Sequence, residues 1–295
     1  AFIKVMVISI GFYGIKGGTF TILSGGASQV LGPINSFYAA NNEMAIILVM
    51  TFPYMLYFIT HASNIYEKYF SIFCAFLTAV AVLGTQSRTG FIALCITFLY
   101  YTWLQKKLFK AVLILLPVTF IAVYVMADTW SNKMATSTDL ESDGSFQSRV
   151  EMWVSAIKVG NEYPILGGGF GIVDTPDYTR RFLEPGQFAR AYHSSYFQMI
   201  GQHGYIGFLL FIFMLILMFR AARKLNRDSK SVPDLLHYSD LSIAIRSSMV
   251  GYMITSLTAS IAFFDSLYFQ IIIICIAAVV LDSARNKQNS AHAIA

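Results

Sequence analysis

Long apolar runs dominate this sequence and restrict its fold more than any other feature. Eight of them are apolar enough to form membrane-spanning helices, which need about 20 residues to cross roughly 30 Å of hydrocarbon. The chain is 56% hydrophobic and only 13% charged, whereas soluble domains carry roughly 25% charged residues. We therefore expect an all-α fold, a polytopic transmembrane helical bundle. The predicted spans lie at 1–12, 44–60, 69–84, 89–104, 111–127, 205–219, 247–264 and 267–281.

The first run is shorter than a full span and does not begin with an initiator Met. We expect it to be the remainder of a truncated span, with further helices upstream. The runs group into about five N-terminal transmembrane helices in 1–127 and about three C-terminal ones in 205–295, which also holds a cytoplasmic tail. Between them, 128–204 is predicted to be an extracytoplasmic loop with short helices.

Basic residues set the predicted orientation. They cluster at 106–110, 220–230 and 285–287, and the positive-inside rule places such clusters in the cytoplasm. The loop at 128–204 then faces outward, which in a bacterium is the periplasmic side of the inner membrane. Membrane lipids with anionic headgroups are sufficient partners for the net charge of +5, so we expect no nucleic acid to bind.

A histidine ends the polar part of this loop. His193 is followed by Ser194, Ser195 and then an apolar run. Either serine is a suitable N-cap, so His193 would lie at the membrane surface beside the positive end of a helix. That field lowers the pKa of an imidazole and favours the neutral form that accepts a proton. His193 is therefore a candidate general base, although a loop histidine is more often structural or solvated.

Arg88 stands at the junction of the third and fourth predicted spans, in the run GTQSR at 84–88. One interpretation is an interfacial arginine whose long side chain reaches the headgroups. The other is an anion site that faces the interior of the bundle, because ionisable groups at membrane depth are costly and tend to be functional. The hydroxyl groups of Ser87 and Thr89 would then add hydrogen-bond donors.

Arg149 is the second candidate for binding an anion. Ser148 and Glu151 fit a capping box, so Arg149 is predicted in the first turn of an amphipathic helix. A cation in that position opposes the helix dipole unless an anion is bound there. We interpret Arg149 as a phosphate-binding residue. The alternative is a solvated arginine whose stem packs on Trp153.

Two other motifs are weaker. The run PILGGGFG at 164–171 permits tight turns, but it lacks the Lys-Ser/Thr of a Walker loop and does not support nucleotide hydrolysis. Asp139, Glu141 and Asp143 alternate without a histidine, which is more typical of a solvated loop than of a metal site. We therefore predict neither a metal site nor a cofactor.

Taken together, the motifs resemble the O-antigen ligase and polymerase superfamily over nearly the whole chain. Each motif is modest alone, but their order and spacing are specific. The superfamily motifs are GTQSR at 84–88, the stretch 143–153, PILGGGF at 164–170, HSSY at 193–196 and GQHG at 201–204. The chain is most similar to the exosortase-associated O-glycosylation ligases, on KGGTF at 16–20, LGP at 31–33 and NNE at 41–43.

The resemblance implies a membrane enzyme that moves a glycan from an undecaprenyl diphosphate carrier to a hydroxyl of a glycan, lipid or protein acceptor, without a metal or nucleotide. Arg88 and Arg149 match the arginines that hold the diphosphate, and His193 matches the base. Direct attack by the hydroxyl would invert the anomeric centre. Ser194 departs from the family pattern, which often has Asn after the histidine, so the role of that amide is unassigned here.

Two rival functions are compatible with the sequence. A polymerase of the same superfamily would use similar residues to extend a chain of repeat units, and product length would separate it from a ligase. A flippase for lipid-linked glycans, or another transporter, would favour charged or Gly/Pro-broken helices near the middle of the membrane. Here the informative charges cluster at one predicted face.

Overall fold

The computed structural model describes residues 2–109, 112–113 and 144–294. All regular structure in these residues is helical, which confirms the predicted all-α class. The chain divides into two compact units. The first holds the described residues of Ala1–Ala122, Leu217–Met253 and Phe264–Ala295, and the second holds those of Val123–Ile216 and Ile254–Phe263.

Long helices make up most of the described chain. Five of them are long and apolar enough to cross a membrane, as expected for a polytopic bundle: α1, α2, α3, α6 and the part of α8 at Asp265–Asn286. The long helices are α1 (Phe2–Leu23), α2 (Asn41–Thr60), α3 (Ile65–Gly84), α4 (Arg88–Leu104), α5 (Gly144–Glu162), α6 (Ser195–Ser229), α7 (His237–Thr255) and α8 (Asp265–Ile294).

Most predicted spans correspond to these helices. The second, third and fourth predicted spans agree with α2, α3 and α4 to within about one turn, and the sixth and eighth lie inside α6 and α8. Nearly all of the fifth, 111–127, lies outside the described residues.

The prediction for the first span was wrong in its length, because α1 continues to Leu23. Gly14, Gly17 and Gly18, which lie beyond the end of the predicted span, are buried inside this helix. A Cβ added to Gly18 would collide with the backbone of Leu77 in α3. Small residues let the backbones of neighbouring membrane helices approach closely, so these glycines form a packing surface and not a turn.

The seventh predicted span, 247–264, was also wrong, because α7 ends at Thr255. The residues that follow bind the first residue of α6 instead of continuing the helix. Ser195 N donates to Ser256 O at 2.9 Å, and Ser195 Oγ donates to Ala259 O at 2.9 Å and accepts from Ile261 N at 3.0 Å. A helix through 264 would use these backbone groups internally, so the two arrangements are mutually exclusive.

The close approach of α1 to α3 gives a matched test at two glycines. Gly18→Ala should lower the free energy of unfolding by about 1–3 kcal/mol, because the new methyl group collides with backbone that cannot move aside. Gly11→Ala should be neutral or stabilising, because its methyl would make an ordinary contact of 3.4 Å with the flexible end of Met55. Unfolding of both variants in the same detergent measures the difference, and equal effects would contradict the packing described.

Candidate active site

Arg88 is the first residue of α4 and is exposed. The preceding Ser87 is the N-cap, and its side-chain oxygen accepts a hydrogen bond from Gly90 N at 3.2 Å. No hydrogen bond or ion pair joins the Arg88 guanidinium to another residue in the described part of the chain. A guanidinium and the positive end of a helix therefore lie together, a combination that favours a bound anion.

The turn before Arg88 is held in place by two other segments of the first unit. Val30 N, in the segment between α1 and α2, donates to Gly84 O at 2.9 Å. Asn41 Nδ2, at the start of α2, donates to Thr85 O at 2.9 Å. These bonds satisfy the carbonyl groups at the end of α3, and they fix the position from which α4 and Arg88 start.

The sequence-based predictions gave no role to the carboxylate of Glu43. It lies in the first turn of α2, two residues before Ala45, which packs directly against Gly90 of α4. Its Oε2 atom is buried and has no hydrogen-bond partner among the described residues. In the sequence, Glu43 could have been identified as an acidic residue at the edge of an apolar span, where burying a charge is costly. Glu43 is therefore a further candidate for contact with a substrate hydroxyl.

Arg149 lies in the second unit, in the second turn of α5. The prediction of a capping box at Ser148 was wrong. A capping box marks the start of a helix, whereas α5 begins at Gly144 and continues through Ser148. Arg149 is half-buried and makes no hydrogen bond or ion pair with another described residue. The positive end of a helix therefore favours an anion at Arg88. At Arg149, which lies further from the helix end, anion binding would depend on the neighbouring side chains.

His193 directly precedes the N-cap of α6. Ser194 O accepts the first helical hydrogen bond, from Gln198 N at 2.8 Å, so the predicted cap is confirmed at Ser194. The backbone of His193 is left-handed, with φ of 48°. This conformation costs roughly 1 kcal/mol in a residue other than glycine, and it persists where the surrounding contacts impose it.

Contacts on both sides anchor the backbone next to His193. On the C-terminal side, Ser195 is bonded to the segment after α7, as described above. On the N-terminal side, Trp153 Nε1 donates to Tyr192 O at 2.9 Å. The indole also stacks on Phe197, with ring centroids 5.1 Å apart and an interplanar angle of 8°. The backbone on either side of the candidate base is therefore anchored.

Trp153 also brings Arg149 and His193 into one region of the second unit. The two α5 residues are four positions apart, so they share a face of the helix and lie about 6 Å apart along its axis. Because Trp153 bonds to the carbonyl directly before His193, the face of α5 that carries Arg149 adjoins the candidate base. The sequence predicted Trp153 only as a packing residue.

A small hydrophobic core supports this arrangement. Tyr192 is 1% exposed, and burial raises the pKa of its phenol, which therefore stays neutral at physiological pH. A surface ion pair between Lys158 and Glu184, at 2.6 Å, ties α5 to the loop that follows and lowers the pKa of the Glu184 carboxyl. The buried core residues are Met152, Ala156, Val159, Ile172, Phe182 and Tyr192.

The glycine-rich run at 164–171 is hydrogen-bonded to the residues around a break in α6. Gly204 has φ of 68° and ψ of −172°, which interrupts the helix. Gly168 N donates to Gly201 O at 2.8 Å, and Gly169 N donates to Gln202 O at 3.0 Å. In return, Tyr205 N donates to the carbonyl oxygen of Pro164 at 2.8 Å. These glycine N–H groups serve the interrupted helix, so they are not arranged to hold a phosphate.

His203 lies at the same break but in an aromatic environment. Its ring meets Phe170 edge-on at 4.4 Å and Phe263 at 5.4 Å between centroids. Its Nε2 atom is buried and has no hydrogen-bond partner in the described residues. These contacts indicate a packing role for His203 at the break.

The predicted site residues are distributed over both units. Arg149 and His193 both belong to the second unit, and Arg88 belongs to the first. Where the structure describes the chain, no group of three His, Cys, Asp or Glu side chains is placed to hold a metal ion. The acidic residues considered for a metal, Asp139, Glu141 and Asp143, lie outside the described residues.

Comparison with known families adds an independent observation. Residues 73–212 match the family model described as O-antigen ligase. This range contains Arg88, Arg149 and His193, and the match confirms the resemblance to the O-antigen ligase and polymerase superfamily. Similarity to the exosortase-associated subgroup stays a prediction. No curated protein matches the chain.

The left-handed backbone of His193 predicts an order of stability between two variants. His193→Gly should be more stable than His193→Ala by about 1 kcal/mol, because both lack the imidazole but only glycine adopts this φ without steric cost. Thermal unfolding of the two variants in detergent provides the comparison. An alanine variant as stable as the glycine variant would show that the backbone is not strained.

Proposed function

Since residues 73–212 carry the O-antigen ligase domain of a membrane enzyme family that transfers glycans, we propose a specific reaction for this chain. The glycan moves from an undecaprenyl diphosphate carrier to an acceptor hydroxyl at the periplasmic face of the bacterial inner membrane. One observation supports this most strongly: the hydrogen bond from Trp153 to Tyr192 O joins the helix that carries Arg149 to the residue before His193.

In the proposed reaction His193 is the general base. Its imidazole takes the proton of the acceptor hydroxyl while the hydroxyl oxygen attacks the anomeric carbon of the donor glycan. The bond between that carbon and the diphosphate oxygen breaks, and undecaprenyl diphosphate leaves with both electrons. A single direct displacement of this kind inverts the anomeric centre. It uses neither a metal nor a nucleotide.

Arg88 and Arg149 have the complementary role of stabilising the leaving group. Negative charge grows on the diphosphate oxygens as the glycosidic bond breaks, and fixed guanidinium groups stabilise that charge without reorganising. Arginine suits this role because its planar fork binds phosphate oxygens through two hydrogen bonds and stays charged at any physiological pH. Neither guanidinium is paired with a carboxylate among the described residues, so both are available to an anion.

Single substitutions test these assignments. His193→Ala, Arg88→Ala and Arg149→Ala should each slow glycan transfer by at least about 100-fold, because each removes the base or a stabilising charge from the transition state. The assay uses the full chain in proteoliposomes with an undecaprenyl diphosphate-linked glycan and an acceptor, and mass spectrometry of the product. The masses also separate a ligase, which transfers the glycan once, from a polymerase.

Two matched variants control for loss of charge and of imidazole in general. Arg190→Ala removes an exposed cation three residues before His193, and His292→Ala removes a histidine from the C-terminal tail. Both should transfer glycan at the wild-type rate. Near-normal transfer by any of the three site variants would remove that residue from the mechanism, provided that membrane insertion and thermal stability are preserved.

A further inference from the structure

The first unit contains a buried arginine that the proposed reaction does not use. Arg246, the tenth residue of α7, is 8% exposed. Within the described part of the chain its guanidinium makes one hydrogen bond, from Nε to Ser242 O at 3.3 Å, and no ion pair. Burying a guanidinium without a counter-charge is strongly unfavourable, so this position implies an anion that neutralises it.

A second arginine adds to this imbalance. Arg223 directly follows Ala222 in α6 and Arg246 lies one turn after Ser242 in α7, so the two positively charged residues occupy neighbouring positions on two helices. The helices that carry the two residues are held together, because Ser242 Oγ donates to Ala222 O at 2.6 Å. Arg223 is exposed, and no described carboxylate forms an ion pair with it. An anion bound between the two guanidinium groups would attract both and offset their mutual repulsion.

Aromatic side chains surround the two arginines. The centroid of the Tyr100 ring lies 5.8 Å from that of Trp103 and 6.5 Å from that of Phe219. The guanidinium carbon of Arg223 lies 5.4 Å from the centroid of the Phe219 ring. Tyrosine and tryptophan concentrate where membrane helices cross the headgroup region. The arginines therefore lie at the level where lipid phosphates are found.

We propose that Arg246 and Arg223 bind the phosphate of an anionic phospholipid, with the Tyr100 hydroxyl as an additional donor. Guanidinium groups bind phosphate oxygens through paired hydrogen bonds, and an ion of this type neutralises both arginines at once. The positive-inside rule assigns this lipid to the cytoplasmic leaflet, because the basic segment at 220–230 follows directly.

This site is separate from the one around Arg88. Tyr100 lies twelve residues after Arg88 in α4, which is about 18 Å along the helix axis. Bound lipid at Arg246 would therefore be a structural or regulatory component and not the glycan donor held at the other end of α4.

Native mass spectrometry can test the proposal directly. The full chain is reconstituted in nanodiscs of phosphatidylglycerol and phosphatidylcholine and then released with its retained lipids. The wild type should retain phosphatidylglycerol preferentially. Arg246→Gln and Arg223→Gln should each reduce the retained phosphatidylglycerol by about tenfold, the effect of losing one charge-assisted hydrogen bond. Because Arg223 is exposed, its variant keeps the test valid if Arg246→Gln folds poorly.

The matched control is Arg220→Gln, which removes an exposed charge one turn earlier on the same helix and should retain lipid like the wild type. Excess inorganic phosphate should not displace the lipid. Three results would each overturn the proposal. They are unchanged retention in the Arg223 variant, equal loss in the Arg220 control, and displacement by inorganic phosphate, which would assign the site to a free anion.

Discussion

The structure of the second unit depends on how the broken helix α6 satisfies its backbone. The break at Gly204 separates the carbonyl groups of Gly201 and Gln202 from the helical donors they would otherwise meet, and unpaired carbonyl groups are costly in an apolar environment. The N–H groups of Gly168 and Gly169 take the place of those donors. The glycine-rich run and the break are therefore one structural device, and each explains why the other is present.

This device fixes the loop against the start of α6, where the chemistry is proposed. α5 ends just before the glycine-rich run, so holding that run also places α5 beside the beginning of α6. Trp153 then reaches the carbonyl of Tyr192, and the residues around Ser195 are bonded to the segment after α7. His193 is held in a left-handed conformation between these anchors, with the face of α5 that carries Arg149 nearby.

Local features of the sequence predicted local features of the fold. The apolar runs predicted the bounds of α2, α3 and α4 to within about one turn. The two serines after His193 predicted where α6 begins. The errors arose where distant partners decide the outcome. The first span was predicted to end before Gly14, because the packing of Gly14, Gly17 and Gly18 against α3 is not visible in the local sequence. The segment after Thr255 was predicted as helix, because its bonds to Ser195 are not visible there either. The role of Trp153 depends on a partner 39 positions away, which no local pattern specifies.

The hydrogen bond from Trp153 to the residue before His193 predicts that Trp153 acts on catalysis by positioning the proposed base. The most direct test is a double-mutant cycle with Trp153→Phe, which keeps the stacked ring but removes the indole N–H. Rates of glycan transfer are measured for the wild type, both single variants and the double variant. We expect Trp153→Phe to slow the wild type by about tenfold and to have no further effect once His193 is alanine. If Trp153→Phe slowed both backgrounds by the same factor, Trp153 would act independently of His193.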